Sequence, residues 1–182
     1  MTQLIDPTKF TNAVSKLRTF FMDKGFEEVH TQNRLSILAA CEDPFNVATY
    51  KYEGRVWPLP QTGQMWLEYE LLKTPDVPGV FCISTSYRNE PNPVPGRHDK
   101  IFPMFEFESK GGMKELLKLE SELLEYLGFD SLVEVNYEDV CEEYGGVPIL
   151  ENEHEQKMWE EKGSVISLQN FPRRTNPFWN MK

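Results

Sequence analysis

An α+β fold, an antiparallel sheet flanked by helices, is what this 182-residue sequence predicts, and three observations predict it. Two strand-like segments, Val80–Ser84 and Phe102–Ser109, stand either side of a proline-dense loop, with helical patterns before and after them. The second of these segments alternates, with Phe105 and Phe107 on one face and Met104, Glu106 and Glu108 on the other. No glycine-rich phosphate loop follows any strand, which argues against a doubly wound dinucleotide or P-loop fold.

The elements follow in order. Asp6 is suited to cap a helix and Pro7 to its first turn, where a missing N–H costs nothing. Phe10, Val14, Leu17 and Phe21 then form one apolar stripe, and Gly25 is the natural stop. Phe26 to Thr31 reads as a strand, and Glu42 to Pro58 as short strands or loops. A helix is expected from Gln64 to Leu72, ending before Pro75. Val80–Ser84 is a strand by its β-branched and aromatic content. Pro91-Asn92-Pro93-Val94-Pro95-Gly96 holds too much proline for a helix or a central strand. Met113 to Leu127 carries Leu116, Leu117, Leu123, Leu124 and Leu127 as a helical stripe closed by Gly128. Short helices are expected over Tyr137–Tyr144 and Glu151–Glu161, and a last strand over Val165–Leu168.

Bulk properties narrow the function. The length suits one domain over 1–182, and 40% hydrophobic content reads as globular. No apolar run approaches a membrane span, and the first residues lack the features of a signal peptide. Cys41, Cys82 and Cys141 are far apart and without metal-ligand spacing, as expected of reduced thiols in a cytoplasmic protein. A net charge of −10 argues against broad contact with nucleic acid, since phosphate binding rests on Lys and Arg. The densest basic groups are Arg97-His98-Asp99-Lys100 and Pro172-Arg173-Arg174. His30 and His154 read as surface or hydrogen-bonded residues rather than ligands.

The chemistry-bearing segment runs from Val80 through Tyr87-Arg88-Asn89-Glu90 and the loop at His98 to Phe102-Pro103-Met104-Phe105-Glu106-Phe107-Glu108. It gathers an arginine and several carboxylates onto two strands. Such charges satisfy one another, as a ladder on a strand face, or they meet the ammonium and phosphate groups of a ligand. An arginine held by a sheet suits a phosphoryl group because its fork matches two oxygens.

This segment resembles motif 2 of the class II aminoacyl-tRNA synthetases, in the asparaginyl, aspartyl and lysyl subgroup. The resemblance rests on Arg88, Glu90, His98, Phe102, Glu106 and Glu108. It implies that Arg88 is the catalytic group and holds the α-phosphate of ATP and the substrate carboxylate. Glu90 would read the adenine amino group, Phe102 would stack on adenine, and His98 would approach the triphosphate. Glu106, with Glu108 nearby, would meet the amino group of the amino acid.

Upstream, Gln61-Thr62-Gly63-Gln64-Met65-Trp66-Leu67-Glu68 is similar to the segment that opens a pocket-lining helix in the same subgroup. Gln61 and Gln64 would then line the amino acid pocket. Glu68 follows the asparaginyl pattern, accepting from an amide and repelling an acid, or else it is a solvated helix residue. Lys24 to Thr31 resembles motif 1, the dimer-building element, with Gln32 where the family has proline. Val165 to Lys182 resembles the strand entering the amino acid pocket, with Asn170-Phe171-Pro172 and Pro177-Phe178-Trp179 as its marks.

Nothing here matches motif 3, so the sequence reads as a catalytic domain cut short, with its Mg2+ ligands expected beyond Lys182 and no anticodon-binding barrel. Three prolines occupy the motif 2 loop where relatives that grip tRNA carry basic residues. The resemblance implies ATP-dependent activation of asparagine or aspartate as an adenylate, for transfer to tRNA, by a homodimer. Two alternatives stand beside it: transfer of the activated carboxyl to ammonia or another amine, and a non-catalytic module that binds an amino acid or nucleotide.

Overall fold

A computed structural model describes residues 4–31, 45–96, 98–129 and 131–175. Cys41, Arg97 and the Pro177-Phe178-Trp179 mark lie outside the described residues, as does Gln32. The chain forms two compact units, 1–112 and 113–182.

Unit 1 begins with α1 (Pro7–Asp23), where the Asp6 carboxylate accepts from Thr8 N–H at 2.8 Å and Lys9 N–H at 3.0 Å. This satisfies two of the first-turn donors that a helix leaves without partners. Gly25 (φ 81°) turns the chain in a conformation that costs a side chain with a Cβ, and β1 (Glu27–Glu28) follows. The strand is shorter than the expected Phe26–Thr31. Its last backbone bond to the sheet runs from Val29 N–H to Phe81 O, and Thr31 then reaches the sheet through its hydroxyl.

The hairpin β2 (Thr49–Tyr52) and β3 (Arg55–Pro58) occupies the region expected to hold short strands. After α2 (Gln64–Lys73) come β4 (Gly79–Tyr87) and β5 (Ile101–Ser109), paired antiparallel over nine residues each. β1 adds to β4 in parallel, giving the order β1-β4-β5.

Alternation along β4 and β5 gives the sheet two different faces. Phe81, Phe105 and Phe107 meet α1, with Phe21 between them at ring separations of 5.8, 5.1 and 4.9 Å. Phe21 and Phe81 are fully buried, and aromatic pairs of this kind add about 0.5–1.5 kcal/mol each beyond burial. The opposite face carries Val80 and Cys82, which pack with Leu67 of α2, together with Ser84, Ser86, Glu106 and Glu108. Gly79 lets the Phe26 ring lie against the backbone: a Cβ there would stand 2.1 Å from a ring carbon.

Unit 2 comprises α3 (Met113–Leu127), β6 (Val133–Asn136), α4 (Tyr137–Glu143), α5 (Asn152–Lys162) and β7 (Ile166–Gln169). Its core is Tyr137, Val140, Cys141, Leu150 and Met158, against which Val135, Ile166 and Leu168 pack. β6 was not expected from sequence; four residues give too short an alternation, and its parallel partner β7 lies about thirty positions on. The parallel β1–β4 pair makes the β1-β4-β5 sheet mixed, and the β6–β7 pair is wholly parallel, both within the α+β class. His154 accepts from Glu151 N–H at 2.9 Å in a capping box, a hydrogen-bonded role rather than a ligand's. Arg174 pairs with Glu138 through two hydrogen bonds, so half of the Arg173-Arg174 basic group is engaged within the unit.

Candidate functional site

Cross-strand register on the second face of the unit 1 sheet decides which side chains can meet. Cys82 lies opposite Glu106, Ser84 opposite Met104 and Ser86 opposite Phe102. Antiparallel partners share a face, so one surface holds small hydroxyls on β4 and a carboxylate and an aromatic ring on β5. β4 then continues one step, with Arg88 N–H donating to Lys100 O at 2.7 Å, which brings Arg88 onto the same face.

Arg88 is held from one side. Its Nε–H donates to Ser86 Oγ at 2.9 Å, and its two terminal nitrogens donate to Gln61 Oε1 at 3.2 Å and to the Gln61 carbonyl at 3.4 Å. Among the described residues these bonds engage three of the five N–H groups, leaving one on each terminal nitrogen. The guanidinium carbon lies 6.0 Å from the centre of the Phe102 ring. A cation with two further donors beside a half-buried aromatic face can hold a phosphate and a stacked planar ring together.

Gln61 is fully buried. Ser86 Oγ donates to its carbonyl at 2.8 Å, and its own amide donates to Asn46 O at 3.3 Å. The two following residues turn into α2, and both bond to Glu106. Thr62 Oγ1 donates to Glu106 Oε1, and Gly63 N–H donates to both carboxylate oxygens, at 3.1 and 2.9 Å. Ser84 Oγ donates to Oε2 from the neighbouring strand.

One step along β5, Glu108 accepts from the Gln64 side chain. Burial pushes its carboxyl above the usual range, Gln64 opposes that, and the negative charges of Glu68 and Glu106 add to it. Glu68 itself is exposed on α2. Cys82 is buried on this same face, and its thiol is pushed up to about 11 chiefly by burial, with the Thr31 hydroxyl, 3.7 Å away, working against it. At neutral pH it is a packed thiol rather than a nucleophile.

Glu90 and His98 stand apart from this cluster, at the two ends of the proline loop. His98 Nδ1 lies 2.9 Å from Glu90 Oε2, and both side chains are partly open to solvent. The loop between them is bridged as well by His98 N–H to Val94 O at 2.9 Å.

The structure thus brings Gln61, Gln64, Arg88, Phe102, Glu106 and Glu108 onto one face, pairs Glu90 with His98, and leaves Glu68 at the rim. Sequence reasoning missed Thr62, Ser84 and Ser86. Their signal was available in part, since Ser84 and Ser86 alternate in phase with Arg88 along β4. Among the described residues no group of three or more His, Cys, Asp or Glu could hold a metal ion. Glu106 and Glu108 are poorly suited to Mg2+, because Glu106 is occupied by donors and Glu108 is tied to Gln64.

The sequence matches the family of tRNA synthetases class II (D, K and N) over residues 8–182. A search of curated proteins returned no match. Among solved structures, the chain is similar to the asparaginyl-tRNA synthetase from Pyrococcus horikoshii complexed with asparaginyl-adenylate. The TM-score is 0.72 at 18% identity, over 88% of this chain and 43% of that one. It is also similar to the Entamoeba histolytica asparaginyl-tRNA synthetase in complex with asparaginyl-adenylate. There the TM-score is 0.66 at 18% identity, over 90% of this chain and 43% of that one. At these identities the likeness is one of fold, and the chain spans under half the length of each relative.

Proposed function

Because this chain belongs to the class II tRNA synthetases of the D, K and N type, we propose that its unit 1 face binds ATP and an amino acid and activates the amino acid as its adenylate. The observation that carries the reading is Arg88, held by Ser86 and Gln61 with an N–H left on each terminal nitrogen, next to the Phe102 ring. Preorganised donors of this kind act on charge as it develops, without reorganising at the moment of reaction.

In this reading the α-carboxylate of the amino acid attacks the α-phosphorus of ATP and the bond to pyrophosphate breaks. Arg88 neutralises charge on the phosphoryl oxygens as they pass through the transition state. Phe102 stacks on adenine, while Glu90 and His98 line the nucleotide end from the loop. Gln61, Gln64 and Glu108 line the amino acid end, and Glu68 at its rim disfavours a substrate carboxylate. That favours asparagine over aspartate, in keeping with the asparaginyl-adenylate held by the two similar enzymes. Mg2+ belongs to the family's chemistry, where it would supply positive charge to the phosphates.

Transfer to tRNA by a cytoplasmic homodimer completes the reading. Cys82 and Cys141, both buried and free, support a reducing setting, and among the described residues no helix is long and apolar enough to cross a membrane. A second reading, transfer of the activated carboxyl to ammonia or another amine, is favoured by the net charge of −10.

Calorimetric titration with non-hydrolysable asparaginyl, aspartyl and lysyl adenylate analogues tests the proposal, with Arg88→Ala as control. Binding of the asparaginyl analogue, lost in the control, is the expected result. Equal binding by the control would overturn it. Titration with tRNA then separates the two acceptors.

A further inference from the structure

Glu106 is engaged on both carboxylate oxygens by groups of its own protein. Thr62 Oγ1 donates to one oxygen, Ser84 Oγ to the other, and Gly63 N–H to both at 3.1 and 2.9 Å. A carboxylate accepts about four hydrogen bonds at most in good geometry, so little capacity is left for a ligand ammonium. The donors are also connected. Thr62 Oγ1 accepts from Gln64 N–H at 3.1 Å, while Gly63, at the N-cap of α2, has no side chain with which to cap. Glu106, reaching across from β5, therefore supplies the negative charge and the acceptors that the start of α2 requires. Gly63 itself is closely packed: a Cβ there would lie 3.1 Å from Cys82 Sγ and 3.2 Å from Glu106 Oε2.

From these contacts we infer that Glu106 is a positioning residue: it locks the Thr62-Gly63 turn onto the sheet, and through that turn sets Gln61 where it grips Arg88. Gln61 directly precedes the locked turn, and it meets Arg88 with both its side-chain and main-chain oxygens. Release of the turn moves these two acceptors together, and the Arg88 fork loses its aim. The role of Arg88 as phosphate holder rests on the function proposed above; the mechanical link from Glu106 to Arg88 does not.

The test reads Arg88 without any ligand. In a 15N-labelled 182-residue chain the Arg88 Nε–H resonance is assigned by its disappearance in Arg88→Lys, and its hydrogen exchange is measured in Glu106→Gln, Thr62→Val and Ser84→Ala. Faster exchange by about tenfold at Arg88 is expected in Glu106→Gln and in Thr62→Val, with the backbone amides of Phe81 and Phe107 unchanged. The Glu106→Gln Thr62→Val double variant should show no further loss, because both act through one turn. If Glu106→Gln does not fold, Thr62→Val and Ser84→Ala each remove one donor and read the same resonance. An Arg88 signal unaltered in every folded variant would overturn the inference. That outcome is distinct from failure of the functional reading, in which adenylate analogues do not bind although Arg88 responds as described.

Discussion

Arg88 and Gln61, twenty-seven positions apart, meet through two hydrogen bonds, from Nη1 to Gln61 Oε1 at 3.2 Å and from Nη2 to the Gln61 carbonyl at 3.4 Å. One glutamine thus fixes the plane of the guanidinium as well as its place, and Ser86 fixes its stem.

Arg88→Lys keeps the charge and removes the fork. A lysine ammonium cannot contact Ser86, both Gln61 oxygens and a phosphate at once. Loss of a charge-assisted bond is worth about 1.5–3 kcal/mol, so affinity for an asparaginyl adenylate analogue should fall by roughly tenfold to a hundredfold. Calorimetry on the two proteins checks this, and Arg88→Lys should fall nearer to Arg88→Ala than to the parent.

Glu106→Gln replaces one acceptor oxygen by an NH2 group facing donors that have no other place to go. A mismatched buried polar group costs about 1–3 kcal/mol. Urea unfolding should show that loss in the midpoint, with the slope unchanged.

Glu108 sets a pH dependence whose sign follows from its raised carboxyl. The folded chain holds this proton more tightly than the unfolded chain, so stability from Glu108 is full below the ordinary carboxylate range. It is lost as pH rises through the window between that range and the raised value. Glu108→Gln is neutral throughout and keeps the acceptor for Gln64. The Tm of Glu108→Gln relative to the parent should therefore climb as pH rises above the ordinary carboxylate range. A difference that stays level across this range would show that the carboxyl is not raised.

Gly79→Ala tests the packing under the site. The added Cβ would stand 2.1 Å from Cε1 of Phe26, so that ring must shift against Phe21 and Phe107, its neighbours at 5.2 and 6.4 Å. Overpacking of this kind costs about 1–3 kcal/mol, read as a lower Tm. Pairing with Phe26→Leu should recover part of it by making room.

Much of this was legible before any coordinates. Asp6 and Pro7 open α1 as local capping rules require, and the alternation from Phe102 to Ser109 separates Phe105 and Phe107 from the carboxylates correctly. The motif residues Arg88, Phe102, Glu106 and Glu108 could be named because they sit in one stretch of strand, loop and strand. Less was legible where the partner is distant. β6 needed β7 to be recognisable, and Ser84 and Ser86 needed Glu106 and Gln61.

Glu106 marks the boundary between the two kinds of information. Sequence by itself determined which side of β5 it occupies, because side-chain direction in a strand depends only on counting residues. Only the tertiary structure decided what it does there, by bringing Thr62 and Gly63 from 44 and 43 positions away and Ser84 from 22. Periodicity is a local property of the chain, whereas the satisfaction of a buried carboxylate depends on which donors the packing of α2 on the sheet delivers.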